Sequence, residues 1–100
     1  MVIVAGTVDI KPESREDAAK AALKVVEATQ KEAGCICYNF YADLADANRF
    51  HIYEEWESDE ALTAHLQQAH TQEFLSGLGA LVVSPPDVKK YAIASGGPLF

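Results

Sequence analysis

The order of strand-like and helix-like segments is the feature that most constrains how this chain can fold. Four short segments rich in β-branched and aromatic residues are typical of strands: "VIVAGTVDI", "CICYNFYAD", "RFHIYEEWE" and "VKKYAIAS". Two segments with apolar residues at helical spacing predict helices: "REDAAKAALKVVEATQKEA", and a second that starts after Ser58 and continues, with or without a kink, toward "FLSGLG". The order β-α-β-β-α-β predicts one α+β, ferredoxin-like domain over residues 1–100.

Local signals predict the ends and the buried faces of the helices. Ser14 followed by Asp17 resembles a capping box, and Ser58 is placed to cap the second helix. Gly34 suits the position just after the end of the first helix. The predicted buried stripe of that helix consists of Ala18, Ala22, Val25, Val26 and Thr29.

The strands lack the polar alternation of a sheet with one face in water. In the first strand, Val2, Val4 and Val8 alternate with residues that are themselves largely apolar. In the second strand, one face carries Ile36, Tyr38 and Phe40 and the other carries Cys35, Cys37 and Tyr41, so neither of these sets is polar. Because an antiparallel sheet with a solvated face should alternate, a second cover is expected. An identical sheet is the simplest cover, so the pattern predicts a homodimer.

Charge and composition narrow the range of partners. The net charge of −7 disfavours nucleic acid, whose phosphates require clusters of Lys and Arg, and it disfavours anionic membranes. No stretch approaches the length of a membrane span, and "MVIVAG" lacks the features of a signal peptide. In an extended strand Cys35 and Cys37 share a face, too close in sequence for an unstrained disulfide and too few for zinc. Two free thiols predict a reducing, cytoplasmic location.

The stretch "EEWESDEALTAHLQQAH" holds the polar and aromatic residues that could form a site. Leu62, His65, Leu66 and Ala69 follow helical spacing, which places His65 on the core side of the helix and His70 off that stripe. On a continuous helix, residues five apart differ by about 140° around the axis. The two histidines therefore could not share a metal ion unless the helix breaks between them, and no metal site is predicted.

Strand parity places Glu54 beside Trp56, on the face that carries Phe50 and Ile52. A carboxylate among apolar neighbours is unusual. It could pair with an Arg or Lys of a neighbouring strand or subunit, or it could belong to a pocket. His65 and Trp56 are equally open to two interpretations, as core residues with satisfied polar atoms or as parts of a site. Asn39, an amide in mid-strand, could face a dimer interface or a ligand.

The segment "EAGCICYNFYADLADANRFHIYEEWESDEALTAHLQQAHTQEF" resembles the antibiotic biosynthesis monooxygenase family of small quinol-monooxygenase-like proteins. The resemblance rests on these features: the Gly34–Cys35 step, Tyr38, the Asp-rich turn, Phe50, Glu54-x-Trp56, the helix start from Ser58 to Leu62, His65, and His70 before Phe74. It implies a dimeric α+β barrel, in which two ferredoxin-like sheets pack face to face. It also implies oxidation of a small phenolic or quinol substrate by O₂ without metal, flavin or haem.

The resemblance also implies roles for individual residues. His65 would be the catalytic base or hydrogen-bond partner, and Trp56 would wall the pocket and offer its indole N–H to a substrate oxygen. The remaining substrate-binding candidates are Asn39, Glu54, His70, Phe74 and Leu78. A haem-degrading branch of similar fold is disfavoured, because Gly6 or Thr7, His65 and Leu75 stand where that branch carries Asn, Trp and a haem-ligating His.

Two other functions fit the same scaffold. One is isomerisation of a small carbonyl or signalling metabolite, which needs no oxygen. The other is a dimer that binds a small molecule without turnover. Fold alone does not separate these from oxygenation, because one scaffold carries unrelated chemistries.

Overall fold

A computed structural model describes all 100 residues. It contains, in chain order, the elements β1 (Val2–Asp9), α1 (Arg15–Thr29), β2 (Cys35–Ala42), β3 (Arg49–Trp56), α2 (Asp59–Leu66), α3 (Ala69–Leu78) and β4 (Asp87–Ala92). The strands form one sheet in the order β2-β3-β1-β4, and all three pairs of neighbours are antiparallel. The predicted ferredoxin-like α+β fold is therefore confirmed, and no helix is long and apolar enough to cross a membrane.

The core lies between the helices and one face of the sheet. Val2, Val4 and Val8 of β1 are buried there, and every second residue of β3 from Phe50 to Trp56 is buried with them. The five residues predicted as the buried stripe of α1 are the five that are buried in that helix. Helical and strand periodicity thus identified the inward faces, because burial of apolar area is the main stabilising term.

The two predicted helix caps have different outcomes. Ser58 is extended, and its Oγ accepts a hydrogen bond from the backbone N–H of Ala61 at 3.1 Å, as predicted. Ser14 makes no side-chain cap bond, so the predicted capping box is wrong. One turn of 3-10 helix over Pro12–Ser14 precedes α1, and the N–H of Ser14 bonds to the carbonyl of Lys11. That turn gives Ser14 a backbone geometry unlike the extended one that a capping serine adopts.

The segment after Ser58, predicted as one helix with or without a kink, is divided into α2 and α3. Gln67 still closes the last turn of α2, but Gln68 is extended, with ψ 146°, before α3 begins. The stripe predicted to continue through Leu66 and Ala69 is therefore wrong beyond His65, since both of those residues are exposed. The break turns the chain so that His70 approaches His65.

The beginning of β2 is irregular. Cys35 pairs with Trp56 and Cys37 pairs with Glu55, which leaves Ile36 as the extra residue of a β-bulge. Cys35 therefore packs against the core while Cys37 lies on the opposite face, so the prediction that both share a face is wrong. Burial, followed by the charge of Glu32, raises the pKa of the Cys35 thiol to about 11. Both cysteines are free.

Candidate functional site

An apolar cavity of about 470 Å³ lies between the sheet and helices α2 and α3. Its sheet wall consists of Val4, Val8, Tyr38, Phe40, Ile52 and Glu54, and the helices contribute Leu62, His65, Leu66, Thr71, Phe74, Leu75 and Leu78. The remaining lining residues come from the start of α2 and from β4 with the residue before it: Asp59, Thr63, Pro86, Val88, Lys89 and Lys90. Its volume is within the range of small-molecule sites.

His65 projects from the last turn of α2 into the wall of this cavity. Its ring centroid lies 4.8 Å from that of Trp56 and 5.3 Å from that of Tyr38. The helical spacing that buries Leu62 also buries His65 one turn later, and only 3% of His65 is exposed. Packing against two aromatic rings fixes the orientation of the imidazole.

Glu32, in the turn after α1, holds one side of the imidazole. Its Oε2 lies 2.7 Å from His65 Nδ1, and Thr71 Oγ1 lies 3.2 Å from the same nitrogen. A carboxylate can only accept, so Nδ1 carries the proton and donates it to Glu32. In the neutral imidazole the lone pair is then on Nε2, which has no hydrogen-bond partner in the protein. The cavity-lining histidine is thereby set in the tautomer that can accept a proton from a ligand.

The same oxygen of Glu32 accepts a second hydrogen bond, from His70. His70 Nε2 lies 2.7 Å from Glu32 Oε2, and the ring centroids of the two histidines are 6.2 Å apart. Glu32 is separated from His65 by 33 residues and from His70 by 38. A carboxylate oxygen of Glu32, Nδ1 of His65 and Nε2 of His70 all lie within 4.8 Å of one another, and this grouping could hold a metal ion. The spacing argument against a shared metal fails here, because the helix breaks between the two histidines.

Glu54 is buried in the cavity wall without a basic partner. Its Oε1 accepts the indole N–H of Trp56 at 2.8 Å. No Arg or Lys of a neighbouring strand of this chain pairs with it, so of the two alternatives the single chain favours a place in the cavity. Burial raises the pKa of Glu54 from 4.5 to about 7, and the charge of Glu32 adds to the increase, against the opposing effect of the Trp56 hydrogen bond. The protonated form is favoured because an isolated carboxylate is poorly solvated in apolar surroundings. At neutral pH this group is an acid as much as a base.

Tyr38 is a second polar group in the same wall. The residue is buried, and its hydroxyl has no hydrogen-bond partner in the protein. Burial, and then the charges of Glu54 and Glu32, raise the pKa of this phenol well above its ordinary value of 10. The hydroxyl therefore stays protonated and can donate a hydrogen bond to a ligand oxygen.

The sequence-predicted site residues divide into two groups. His65, Glu54, Phe74 and Leu78 lie together in the cavity wall. Trp56, Asn39 and His70 do not line it, and each lies elsewhere for an identifiable reason.

Trp56 is fully buried behind His65, and its indole N–H is donated to Glu54 rather than left for a substrate. Asn39 lies on the opposite sheet face, paired with Tyr53, and its side-chain oxygen accepts from the N–H of Phe40. His70 lies outside the cavity lining, and its Nε2 contacts Glu32. These three side chains therefore do not line the cavity of the single chain, and Asn39 lies on the face predicted to meet a second subunit.

Two residues of the site escaped the sequence analysis. Glu32 belongs to the stretch assigned to the end of the first helix, where a glutamate carries no signal of its own. Tyr38 could have been found, since strand parity already placed it on the same face as Phe40. Its role was not recognised because no residue near it in the sequence indicates that its hydroxyl is buried without a hydrogen-bond partner.

Comparisons with known proteins agree with this architecture. The sequence profile of "Antibiotic biosynthesis monooxygenase" matches residues 1–76. The chain is 28% identical over 88 residues to "Putative monooxygenase YcnE" of Bacillus subtilis strain 168, covering 88% of this chain and 93% of that one. It is 33% identical over 93 residues to the uncharacterized protein sll1783 of Synechocystis, and this match spans 93% of the chain but 63% of the relative.

A solved structure extends the similarity to the whole fold. The "putative antibiotic biosynthesis monooxygenase" of Deinococcus radiodurans superposes with a TM-score of 0.92 at 25% identity. The match covers 100% of this chain and 99% of that one. The likeness therefore includes β4 and the residues after it, beyond the part that the sequence profile matches.

Proposed function

This chain belongs to the antibiotic biosynthesis monooxygenase family, and from that premise we propose that it oxidises a small phenolic or quinol aromatic with O₂ and without a cofactor. One observation carries the proposal. His65 lines an apolar cavity with Nδ1 bonded to Glu32, so that Nε2 is the basic atom available to a ligand. A neutral imidazole of this kind is suited to removing a phenolic proton near neutral pH.

The first step is deprotonation of the substrate. A phenolic O–H donates its proton to His65 Nε2, and the resulting imidazolium is stabilised by the Glu32 carboxylate at Nδ1. The Tyr38 hydroxyl can donate a hydrogen bond to the phenolate oxygen that forms. Around these groups most of the lining side chains are apolar, which reduces the contact of the phenolate with water that would solvate and deactivate it.

The second step uses the electron-rich phenolate as the reductant of O₂. The phenolate transfers one electron to O₂, and the resulting radical pair forms a C–O bond at a ring carbon that carries hydrogen. The His65 imidazolium returns its proton to the peroxide, and loss of water leaves a carbonyl. One O₂ is consumed, one oxygen atom enters the quinone product and the other leaves as water. The protein supplies position, a proton acceptor and a largely apolar cavity.

We also propose that the functional unit is a homodimer, in which the second sheet face of one protomer packs on that of its partner. Ile3, Ala5 and Tyr53 lie on this face and are only partly buried in the single chain. Membership of the family supports this arrangement, because its proteins are commonly dimeric. An all-antiparallel sheet with apolar residues on both faces gains from such a cover.

The test is O₂ consumption by the purified protein, in EDTA, against a panel of naphthoquinols and polyhydroxylated aromatics. We expect uptake above the autoxidation rate, reduced about a hundredfold or more in His65→Ala and at least about tenfold in Glu32→Gln. Glu60→Gln makes the same chemical change on the exposed first turn of α2 and should leave the rate unchanged.

The outcomes separate the alternative functions. Uptake that His65→Ala retains would refute the assignment of the base. Substrate conversion that proceeds equally without O₂ would favour an isomerase. Ligand-dependent thermal stabilisation with no conversion would favour a binding protein.

A further inference from the structure

Glu32, His65 and His70 bring three metal-ligating atoms together at the junction of α1, α2 and α3. The carboxylate oxygen lies 2.7 Å from each of the two imidazole nitrogens, and all three atoms lie within 4.8 Å of one another. The side chains are largely buried, with 10% of Glu32, 4% of His65 and 23% of His70 exposed. They come from three separate backbone segments, so their convergence is a product of the tertiary structure.

The donor set determines which ions could bind. Two imidazoles and one carboxylate suit Zn²⁺ and its first-row neighbours, whereas Ca²⁺ and Mg²⁺ prefer sites made of oxygen ligands. Tetrahedral coordination with bonds of about 2.1 Å places donor atoms roughly 3.4 Å apart. The two N···O distances of 2.7 Å would thus lengthen by about 0.7 Å. The two imidazole nitrogens lie within 4.8 Å of each other and would have to reach the same separation of roughly 3.4 Å. Binding of an ion therefore requires changes of side-chain torsion at Glu32 and at His70, the more exposed of the two histidines.

We infer that Glu32, His65 and His70 form a binding site for one divalent transition-metal ion of the Zn²⁺ class. The ion replaces the two N–H protons that now point at the carboxylate oxygen. His70 is the most exposed of the three ligands, so the ion enters on its side, outside the apolar cavity. A water molecule completes the coordination, with Thr71 Oγ1, 3.2 Å from His65 Nδ1, near enough to bond to it.

Metal binding changes what His65 presents to the cavity. When the ion takes Nδ1, the proton of the neutral imidazole moves to Nε2, and the cavity-facing nitrogen becomes a donor instead of an acceptor. No proton is gained or lost in this change of tautomer. If His65 is the base of the proposed oxidation, on which this consequence rests, the ion inhibits the reaction. The ion occupies the side of His65 away from its free nitrogen, so it does not contact a substrate there.

Binding is tested without reference to activity. Tag-free full-length protein is stripped with EDTA, exchanged into metal-free buffer and titrated with ZnCl₂ by calorimetry, with the unfolding midpoint followed in parallel. We expect one saturable equivalent and a raised midpoint. Affinity should fall at least about tenfold in both His70→Ala and Glu32→Gln.

His51→Ala is the matched control. His51 and Asp43 form another pair with a 2.7 Å separation, but without a third ligand, so its removal should leave zinc affinity unchanged. A Cys35→Ser, Cys37→Ser double variant controls for binding by thiols. Absence of saturable binding in the wild type would overturn the proposal, and so would equal affinity in wild type, His70→Ala and Glu32→Gln.

The inhibitory consequence is measured separately, as O₂ uptake with and without zinc. Zinc should abolish uptake by the wild type and have at least about tenfold less effect on His70→Ala. If the protein binds zinc saturably but consumes no O₂ in EDTA, the metal site is supported and the proposed function is refuted. If the protein consumes O₂ in EDTA but binds no zinc, the proposed function is supported and the metal site is refuted. Stimulation by zinc would overturn the inhibitory role.

Discussion

At the scale of single residues, Glu54 shows how burial sets the protonation of a side chain. Its only hydrogen-bond partner is the neutral indole of Trp56, and no basic group offsets the loss of hydration. Its pKa is therefore raised from 4.5 to about 7, mainly by burial and further by the negative charge of Glu32. The folded protein binds this proton more tightly than the unfolded chain does.

That difference predicts a dependence of stability on pH. Because the folded pKa is the higher one, the stabilisation from protonated Glu54 is fully present below pH 4.5 and is lost as pH rises toward 7. The loss amounts to at most about 3 kcal/mol. Glu54→Gln keeps an acceptor for the indole but does not titrate. The free energy of unfolding of wild type, relative to Glu54→Gln, should therefore fall between pH 4.5 and about 8 in urea denaturation.

A second variant controls for the general effect of losing a carboxylate. Glu57 is exposed at the end of β3, so the difference between wild type and Glu57→Gln should stay constant over the same pH range. If the free energy of unfolding of wild type relative to Glu54→Gln does not change with pH, Glu54 is ionised in the folded protein throughout this pH range.

At the scale of elements, one glycine determines how closely β2 can approach α2. Gly34 has φ +82°, and a Cβ built on it would lie 2.5 Å from the Cβ of Ala61 in α2. It therefore permits both the turn into β2 and the packing of the helix that carries His65. A residue with a side chain would meet backbone strain and a steric clash together.

Alanine substitution at two glycines should have opposite effects. Gly34→Ala should destabilise the protein by more than about 1 kcal/mol, because the positive φ and the contact with Ala61 both oppose a Cβ. Gly77 lies in α3, and apart from its chain neighbours and the backbone of its own helix no atom lies within 4 Å of the point where its Cβ would be, so Gly77→Ala should stabilise by about 0.5–1 kcal/mol. Urea denaturation measures both, and equal effects would contradict this account.

The break between α2 and α3 is the element that local signals could not predict. It contains neither Pro nor Gly, and Gln67 and Gln68 are good helix formers. The carbonyl of Leu66 that loses its helical partner accepts a hydrogen bond from the side chain of Gln72 at 2.6 Å. Tertiary contacts, including those of His65 and His70 with Glu32, therefore outweigh helix propensity here.

At the scale of the whole molecule, the second face of the sheet is not covered by the helices, which pack on the other face. Ala5 lies near its centre, opposite Tyr53 on one side and Lys89 on the other. Tyr53 donates to Glu55 at 2.6 Å, so the polar groups of this face are partly satisfied among themselves. A two-fold copy of this face would have to provide a partner for its remaining charge at Lys89.

The dimer proposal predicts the effect of a charge placed at the centre of that face. Ala5→Arg should shift the sedimenting mass from dimer toward monomer, because a two-fold interface would receive two added cations. Ala45→Arg makes the same change in the exposed loop between β2 and β3 and should leave the mass unchanged. Analytical ultracentrifugation distinguishes the two variants, and a monomeric wild type would contradict the proposal.

The sequence by itself determined the order of the elements, the inward face of α1 and β3, and the presence of His65 in the core. These features follow from the spacing of apolar residues, with a period of about 3.6 residues in a helix and 2 residues in a strand. Such a spacing is visible within a short stretch of sequence. Where the chain departs from regular geometry, at the bulge of Ile36 and at the break after Leu66, the same periods assigned the wrong faces.

Only the tertiary structure decided what His65 can do. Its tautomer depends on Glu32, which lies 33 residues away, and Glu32 is shared with His70 because a helix breaks where propensity favours its continuation. Contacts between segments distant in sequence depend on how the elements pack, which no local pattern encodes. Trp56 and Asn39 were identified as polar candidates, but the indole N–H of Trp56 is donated to Glu54 and the side-chain oxygen of Asn39 accepts from the backbone of Phe40.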